Sequence, residues 1–336
     1  MGATGIDVPP SGDGLKVLVT GGLGFIGSHL ARRLAGHGHD VTLVDNLMPE
    51  HGGNLFNVAR IDGRVQINIS DMRDASAMRH LVKGRDVIFN LAGQSSHIDS
   101  IRNPYADADI NSRAQITLLE SCRRYNPGVK VLYASTRQIY GKPDYLPVDE
   151  KHPLRPVDIN GINKMAGEMY HTLYHQIYGM DTCSLRLTNT YGPHMRVKDS
   201  RQNFLGIWIK RILDGQPIEI FGSGTQVRDF SYVDDVVDAF LACAGSDRAA
   251  GEVFNVGSGE AVSLVDVARL LIEINRGGEY RLIPFPPERK VIDIGDYYTD
   301  YGKIRDMIGW QPGTALRDGL ERTLGFYRTY GKHYWE

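Results

Sequence analysis

The chain is predicted to fold as an α/β protein, a doubly wound parallel sheet with helices on both faces, joined to a smaller α+β substrate-binding lobe. Three observations predict it. A β-branched run at residues 17–20 feeds a glycine-rich turn, Gly21-Gly22-Leu23-Gly24-Phe25-Ile26-Gly27, that opens an amphipathic helix. Short apolar runs then alternate with helical periodicity as far as Leu187. Beyond Asn189 the texture changes to closely spaced turns.

The first unit has the layout of a Rossmann-type βαβ motif. Gly21 and Gly22 let the backbone turn sharply after the strand, Gly24 lets it approach a pyrophosphate with no Cβ in the way, and Gly27 lets the helix pack on the sheet. Gly21, Gly24, Phe25, Ile26 and Gly27 would thus cradle a diphosphate at the positive end of the helix. A second apolar run, residues 41–45, ends in Asp45-Asn46. Asp45 would accept hydrogen bonds from the adenosine ribose hydroxyls and repel a 2′-phosphate, which points to NAD rather than NADP. A glycine turn alone is common punctuation, but here strand, glycines, helix and terminal acid agree.

Further strands are expected at residues 65–69, leading into Ser70-Asp71-Met72, at 86–93, ending in Leu91-Ala92-Gly93, at 129–135 and at 182–187. Helical periodicity is clearest over residues 114–124 and 164–178. Ligands collect at the carboxyl ends of such strands, where Asp45, Asp71, Gly93, Ser135 and Thr136 fall. Turns at Tyr191-Gly192-Pro193, residues 221–224 and residues 285–287 mark the smaller lobe, while residues 254–257 read as a strand returning to the sheet. The expected division is residues 15–188 plus about 229–260 for the dinucleotide domain, about 189–228 plus 261–330 for the substrate lobe, and 1–14 as a flexible tail. A cleft between the two is the expected substrate site.

Composition narrows the function classes. With 38 basic and 40 acidic residues and a net charge of -2, nothing favours nucleic acid or an anionic membrane as partner. The stretch before Leu15 is rich in Gly, Pro and Asp and lacks an apolar core, so it reads as neither signal peptide nor membrane span. Cys122, Cys183 and Cys243 are odd in number, widely spaced and set in apolar patterns, which favours reduced, buried thiols and a cytoplasmic location. No metal-ligand spacing is present, and no metal is expected.

These residues resemble the extended short-chain dehydrogenase/reductases, specifically the NAD-dependent nucleotide-sugar epimerases and dehydratases. The resemblance rests on the glycine loop, Asp71-Met72-Arg73-Asp74, Leu91-Ala92-Gly93, Ser135-Thr136 with Ile139-Tyr140-Gly141, Lys164 with Ala166 and Glu168, the stretch from Arg186 to Pro193, that from Arg228 to Asp235, Asn255-Val256-Gly257, and Gly309-Trp310-Gln311-Pro312. It covers about residues 15–330. It implies that Asp71 and Met72 flank the adenine, that Leu91, Ala92 and Gly93 line the diphosphate and nicotinamide side, and that Lys164 holds the nicotinamide ribose. It further implies that Asn189 and Arg228, with Arg289, hold the diphosphate or nucleoside of a nucleotide-diphosphate sugar, a role suited to planar guanidinium. Arg228 as a structural partner of Asp229 or Asp234, and Arg289 likewise as a structural ion-pair residue, remain alternatives at this stage.

The family's proton acceptor is a tyrosine four residues before the lysine, assisted by a hydroxyl for which Thr136 is placed. Here that position holds Asn160, and no tyrosine of the chain has a lysine four residues after it. A carboxamide cannot act as a base near neutral pH. The candidates to replace it are His97, on the loop after Gly93, and Tyr140, each with a plain packing or lining role as the alternative. Water and a desolvated Lys164 are a third route, and a catalytically silent NAD- and sugar-nucleotide-binding protein is a fourth. In the 4,6-dehydratases an acidic pair follows the threonine, whereas this chain has Arg137 and Gln138, which cannot shuttle protons as carboxyl groups do. Dehydration is therefore disfavoured and epimerisation through a transient keto sugar is expected, with a ketosugar reductase as the alternative. Arg137 is a candidate anchor for a charged sugar substituent. The resemblance also implies a homodimer formed by helices near 106–124 and 160–178, with Ile116, Leu119, Leu173 and Ile177 able to face either the partner or the sheet.

Overall fold

Valine-, isoleucine- and leucine-rich runs, covered on both faces, form the central sheet of the computed structural model, which describes residues 14–48, 51–199 and 204–335. The tail expected over 1–14 lies, except for Gly14, outside these residues. The strands are β1 (Lys16–Thr20), β2 (Asp40–Asp45), β3 (Gln66–Ile69), β4 (Val87–Asn90), β5 (Lys130–Thr136) and β6 (Thr182–Leu187). They are followed by the short strands β7 (Asn189–Tyr191), β8 (Ile218–Phe221), β9 (Val227–Arg228) and β10 (Phe230–Tyr232), then by β11 (Val253–Val256), β12 (Val262–Ser263) and β13 (Tyr280–Ile283). Seven of them make one parallel sheet in the order β11-β6-β5-β4-β1-β2-β3. The order reverses between β1 and β4, so their carboxyl ends splay into a crevice. Thr20 Oγ1 donates to Asn90 Oδ1 at 2.9 Å and accepts from Ala92 N at 3.2 Å, which fixes the floor of that crevice.

Helix α1 (Phe25–Gly36) packs against α8 (Val233–Ala244) on one face of the sheet; α2 (Ala75–Leu81), α5 (Ala114–Tyr125) and α6 (Ile159–Tyr178) cover the other. Between α2 and α5 lie α3 (His97–Arg102) and α4 (Pro104–Ala108), and the five residues Asp109–Arg113 wind as a π-helix that joins α4 to α5. That local widening turns the Asn111 amide toward Gln94, with Asn111 Nδ2 donating to Gln94 O at 2.9 Å. The sequence gives no cue for it. Helix α6 starts on Asp158, whose Oδ1 accepts from Gly161 N at 2.7 Å, and stops at Gly179 with φ 64°.

A second apolar cluster gathers α7 (Phe204–Leu213), α9 (Leu264–Asn275) and α10 (Leu316–Tyr330) around Trp208, Ile209, Ile220, Leu271 and Leu324. The lobe boundary differs from the expected one at two places. Phe230, Tyr232 and Val233 join this second core, because β10 pairs with β7, whereas Ile304 and Trp310, expected in the lobe, pack into the sheet's core, where Trp310 Nε1 donates to Asp235 O at 2.9 Å. All three cysteines are buried and unpaired. No helix among the described residues is long and apolar enough to cross a membrane. Periodicity left Leu119 and Leu173 equivalent; the fold separates them. Leu119 is fully buried, while Ile162, Met169, Leu173 and Ile177 stand exposed along α6, Ile177 at 60 %.

Candidate active site

One cleft of about 590 Å³ runs from the crevice at β1 and β4 into the smaller lobe, and it is lined by most of the residues singled out in the sequence. At its dinucleotide end Gly21 has φ +67°, and a Cβ there would lie 2.9 Å from Ala92 N. A Cβ on Gly27 would overlap the Gly21 carbonyl oxygen. No side chain caps α1 at Gly24, so the first-turn N–H groups of Phe25 and Ile26 are left for an anion. Glycines whose Cβ would crowd neighbouring backbone, an uncapped helix end and a carboxylate beyond it make a cradle that fits a dinucleotide diphosphate.

Asp45 lines the next stretch, with Oδ1 accepting from Leu47 N at 2.9 Å and Oδ2 from Leu23 N at 3.2 Å. Burial pushes its carboxyl up from the ordinary range, although these backbone hydrogen bonds oppose the change. Asn46 Nδ2 donates to Asp71 Oδ2 at 2.9 Å, and Arg73 grips Asp71 from two sides, which holds the Asp71 carboxyl well below the usual carboxylate range. Met72 closes this wall. His51, Gly52 and Gly53 line the same end and carry no signal in the sequence that separates them from an ordinary loop.

Lys164 reaches the middle of the cleft from α6. Its Nζ donates to Ala134 O at 2.8 Å, lies 4.9 Å from the Tyr133 ring centroid, and sits where a Cβ on Gly93 would be 3.0 Å away. Burial pulls the ammonium down to about 8, with the Asp107 carboxylate opposing. Leu91 and Ala92 pass beside it on the loop that leaves β4 at Asn90, three residues earlier than the sequence predicts, and both line the cleft. Thr136 ends β5 with its Oγ1 accepting from Gln138 N at 3.3 Å.

Asn160, at the place of the missing tyrosine, is 2 % exposed and acts as a strut. Its Nδ2 lies within hydrogen-bond reach of Gln94 O at 2.8 Å and Asp107 Oδ2 at 3.1 Å, while Asn163 holds the other oxygen of Asp107 at 2.8 Å. Tyr140 is not in the cleft. Its hydroxyl donates to Asn255 Oδ1 at 2.7 Å and accepts from Arg186 Nη1 at 2.7 Å, the side chain is fully buried, and burial pushes its phenol far up. The expectation that Tyr140 exchanges protons with a substrate is thereby corrected: the turn after Thr136 points its ring into the core.

His97 opens α3 and faces the cleft. Its Nδ1 stands 2.7 Å from Asp158 Oδ2, and Gln138 Nε2 lies 3.0 Å from its Nε2. The Asp158 side chain is 1 % exposed; burial alone would raise its carboxyl, but the close approach and charge of His97 hold it low. Asp158 is absent from the sequence reading, although an aspartate just before a helical run is a capping signal that marks it.

The substrate arm carries Asn189, whose Nδ2 donates to Asp229 O at 2.8 Å, and Arg228, buried and donating to Val227 O at 2.8 Å, to Gly295 O and to Asp293 Oδ1 at 3.2 Å. Burial pulls the Arg228 guanidinium down to about 10. Arg228 thus pairs with Asp293, not with Asp229 or Asp234. Arg289 lines the far wall over the Phe221 ring, 5.6 Å from its centroid. Arg196, Arg211, Trp208 and Phe285 join that wall without having been picked out in the sequence. They lie in helices and turns whose aromatic and basic content looks like any amphipathic surface.

A glycine-cradled dinucleotide site opening into a basic, aromatic-walled arm defines a dinucleotide-binding enzyme of the extended short-chain dehydrogenase/reductase class. Residues 17–257 match the model of the NAD dependent epimerase/dehydratase family, and the chain belongs to that family, whose cofactor is NAD. UDP-glucose 4-epimerase of Mycolicibacterium smegmatis is 32 % identical over 318 residues, 94 % of this chain and 99 % of that protein. Among solved structures, UDP-glucose 4-epimerase of Thermotoga maritima with UDP-glucose superposes with a TM-score of 0.84 at 32 % identity, covering 94 % of this chain and 99 % of that one. DesIV, a dTDP-glucose 4,6-dehydratase of Streptomyces venezuelae solved with NAD bound, gives 0.86 at 28 % identity, covering 95 % and 98 %.

Proposed function

We propose that this protein epimerises a carbon of the sugar in a nucleotide-diphosphate sugar through a transient keto sugar, with His97 in the proton-transfer role that Asn160 cannot fill. The observation that carries this is the placement of Thr136, Lys164 and His97 around one end of a single cleft whose other arms hold Asp45 and Arg228. NAD held at Gly21, Gly24, Gly27, Asp45 and Lys164 would supply the hydride acceptor for oxidation of the sugar carbon and the hydride donor for its reduction. Thr136 hydrogen-bonds the reacting sugar oxygen. His97 Nε2 takes the hydroxyl proton as the carbonyl forms, displacing its contact with Gln138, and gives it back when the carbonyl is reduced. Asp158 fixes the ring orientation and steadies the imidazolium, as a carboxylate does behind a catalytic histidine. The Lys164 ammonium stabilises negative charge on the sugar oxygen and holds the nicotinamide ribose. Arg228, Asn189 and Arg289 bind the diphosphate and nucleoside. Arg137 and Gln138 in place of an acidic pair leave no carboxyl group to eliminate water, which supports epimerisation over dehydration.

Because the Lys164 charge is present below a pH of about 8 and lost above it, turnover is expected to fall as pH rises through that value. Lys164→Met is expected to remove that limb of the rate profile together with most of the rate. Initial rates across pH for both proteins check this.

The reading itself is tested by incubating the NAD-loaded protein with a panel of UDP- and dTDP-sugars and following anomeric proton resonances. An epimeric sugar nucleotide supports it. Tight binding without conversion favours the silent binding protein, a 6-deoxy keto product the dehydratase, and dependence on stoichiometric NADH the reductase.

We also infer a cytoplasmic homodimer. Three buried, unpaired cysteines fit a reducing compartment. The exposed Ile162, Met169, Leu173 and Ile177 stripe of α6 is an apolar seam for a second copy. Leu173→Glu with Ile177→Glu is expected to convert a dimer to monomer in sedimentation velocity; a monomeric parent protein would contradict the inference.

A further inference from the structure

We propose that Arg137 is a recognition site for a carboxylate carried by the sugar ring, so that the substrate class is a nucleotide-diphosphate uronic acid; this rests on the nucleotide-sugar reading above. Arg137 is the residue immediately after Thr136, at the carboxyl end of β5. It therefore lines the cleft where the Thr136 end meets the arm that carries Asn189 and Arg228, near enough to Arg228 for the two cations to repel.

Its partners set it apart from other arginines of the cleft. Arg73 is paired with Asp71 at 2.6 Å, Arg196 with Asp199 at 2.6 Å, Arg211 with Glu219 at 2.7 Å and Arg228 with Asp293 at 3.2 Å. Arg137 has no ion pair with any described carboxylate. Its Nη2 donates to Asn189 Oδ1 at 3.2 Å and its Nη1 to Gln138 Oε1 at 3.3 Å, both neutral amide oxygens at the long end of the hydrogen-bond range. Asp229, a buried acid that interacts with it electrostatically, directs Oδ2 to Thr299 N at 3.2 Å instead. Below the guanidinium, 5.0 Å away, lies the Tyr297 ring, which orients the plane and adds a cation–π contact.

The physical consequence is a half-desolvated cation with spare donors facing the sugar pocket. Burial disfavours its charge, and two neutral amide oxygens, with the charges of Asp229, Asp293 and Asp158 farther off, compensate only partly. A carboxylate does so fully, because its two oxygens match the planar fork. A neutral hydroxymethyl group at the same place offers a single oxygen and no charge. The same chemistry could come from the ligand's diphosphate, and the experiment separates the two sources.

Isothermal titration of UDP-glucuronic acid, UDP-glucose and UDP is made on the NAD-loaded protein, its Arg137→Gln variant and its Arg137→Lys variant, with thermal melting to confirm that each is folded. The parent protein is expected to bind UDP-glucuronic acid about 10- to 100-fold more tightly than UDP-glucose, the range for a charge-assisted hydrogen bond. In Arg137→Gln that preference is expected to vanish while affinity for UDP stays unchanged, and Arg137→Lys should recover part of it. Equal affinity of the parent protein for the two sugars overturns the assignment. A variant that loses UDP and both sugars equally overturns it too and makes Arg137 a diphosphate ligand. A parent protein that binds UDP and discriminates no acid leaves the nucleotide-sugar reading standing without this site, whereas one that binds no UDP compound overturns both.

Discussion

Replacement of His97 by alanine is expected to slow epimerisation by about two to four orders of magnitude, the usual contribution of a positioned acid–base group. NAD and sugar-nucleotide affinity should change little, because His97 lines the cleft without holding the diphosphate. A purely structural role for His97 would give a similar loss of rate, so the decisive readout is rescue. Imidazole added to the variant is expected to restore part of the turnover, and no rescue at any concentration would argue against proton transfer at this position. Asp158→Asn sharpens the test. Asparagine is as good a helix cap as aspartate, so the hydrogen bond to Gly161 N and the start of α6 persist, while the negative charge 2.7 Å from His97 Nδ1 is lost. The rate is then expected to fall with the fold intact, measured as kcat alongside an unchanged melting temperature.

The largest stability effect is expected at Glu168. Its carboxylate lies between β5 and β6, accepting from Ser135 Oγ at 2.6 Å and from Arg186 Nη2 at 2.5 Å, and both charged side chains are almost wholly buried. Glu168→Ala leaves the Arg186 cation buried without its counter-charge and is expected to cost about 3–5 kcal/mol of unfolding free energy. The partner measurement is the double variant Glu168→Met with Arg186→Met. Removing both charges together takes away the desolvation penalty with the attraction, so the pair is expected to be much less damaging than Glu168→Ala alone. Urea unfolding followed by tryptophan emission reads both, and a Glu168→Ala midpoint equal to that of the parent protein would contradict the account of this network. The same network explains why Tyr140 is unavailable to substrate: its hydroxyl is the outermost polar link from Arg186 to Asn255.

Much of the fold is legible in the sequence because a parallel sheet buried on both faces is written as uninterrupted apolar runs. Val17 to Thr20, Val87 to Asn90 and Thr182 to Leu187 could hardly be read otherwise, and the carboxyl ends of β2, β4 and β5 carry Asp45, Gly93 and Thr136 into one crevice. The dinucleotide end is equally legible, since backbone approach dictates glycine at Gly21 and Gly27. What the sequence withholds are contacts between segments far apart in the chain. His97 and Asp158 meet only because α3 packs against the start of α6. Arg228 finds Asp293 rather than the neighbouring acids because Asp229 is turned toward Thr299. Ile304 and Trp310 return to the sheet although the chain around them reads as lobe. Asn160 presents a different difficulty. Its identity was plain, but its role as a strut between Gln94 and Asp107 depends on the π-helical turn that brings the Gln94 and Asn111 amides together.

The most direct measurement of the central claim is the absorbance of reduced nicotinamide in NAD-loaded protein mixed rapidly with an excess of sugar nucleotide, with UDP-glucuronic acid and UDP-glucose as the first two. The account predicts a transient rise in reduced cofactor that decays as epimer accumulates, faster to form and to decay when Lys164 is protonated and absent in the His97→Ala variant without imidazole. A flat trace from protein that demonstrably binds both NAD and the same sugar nucleotides would contradict it.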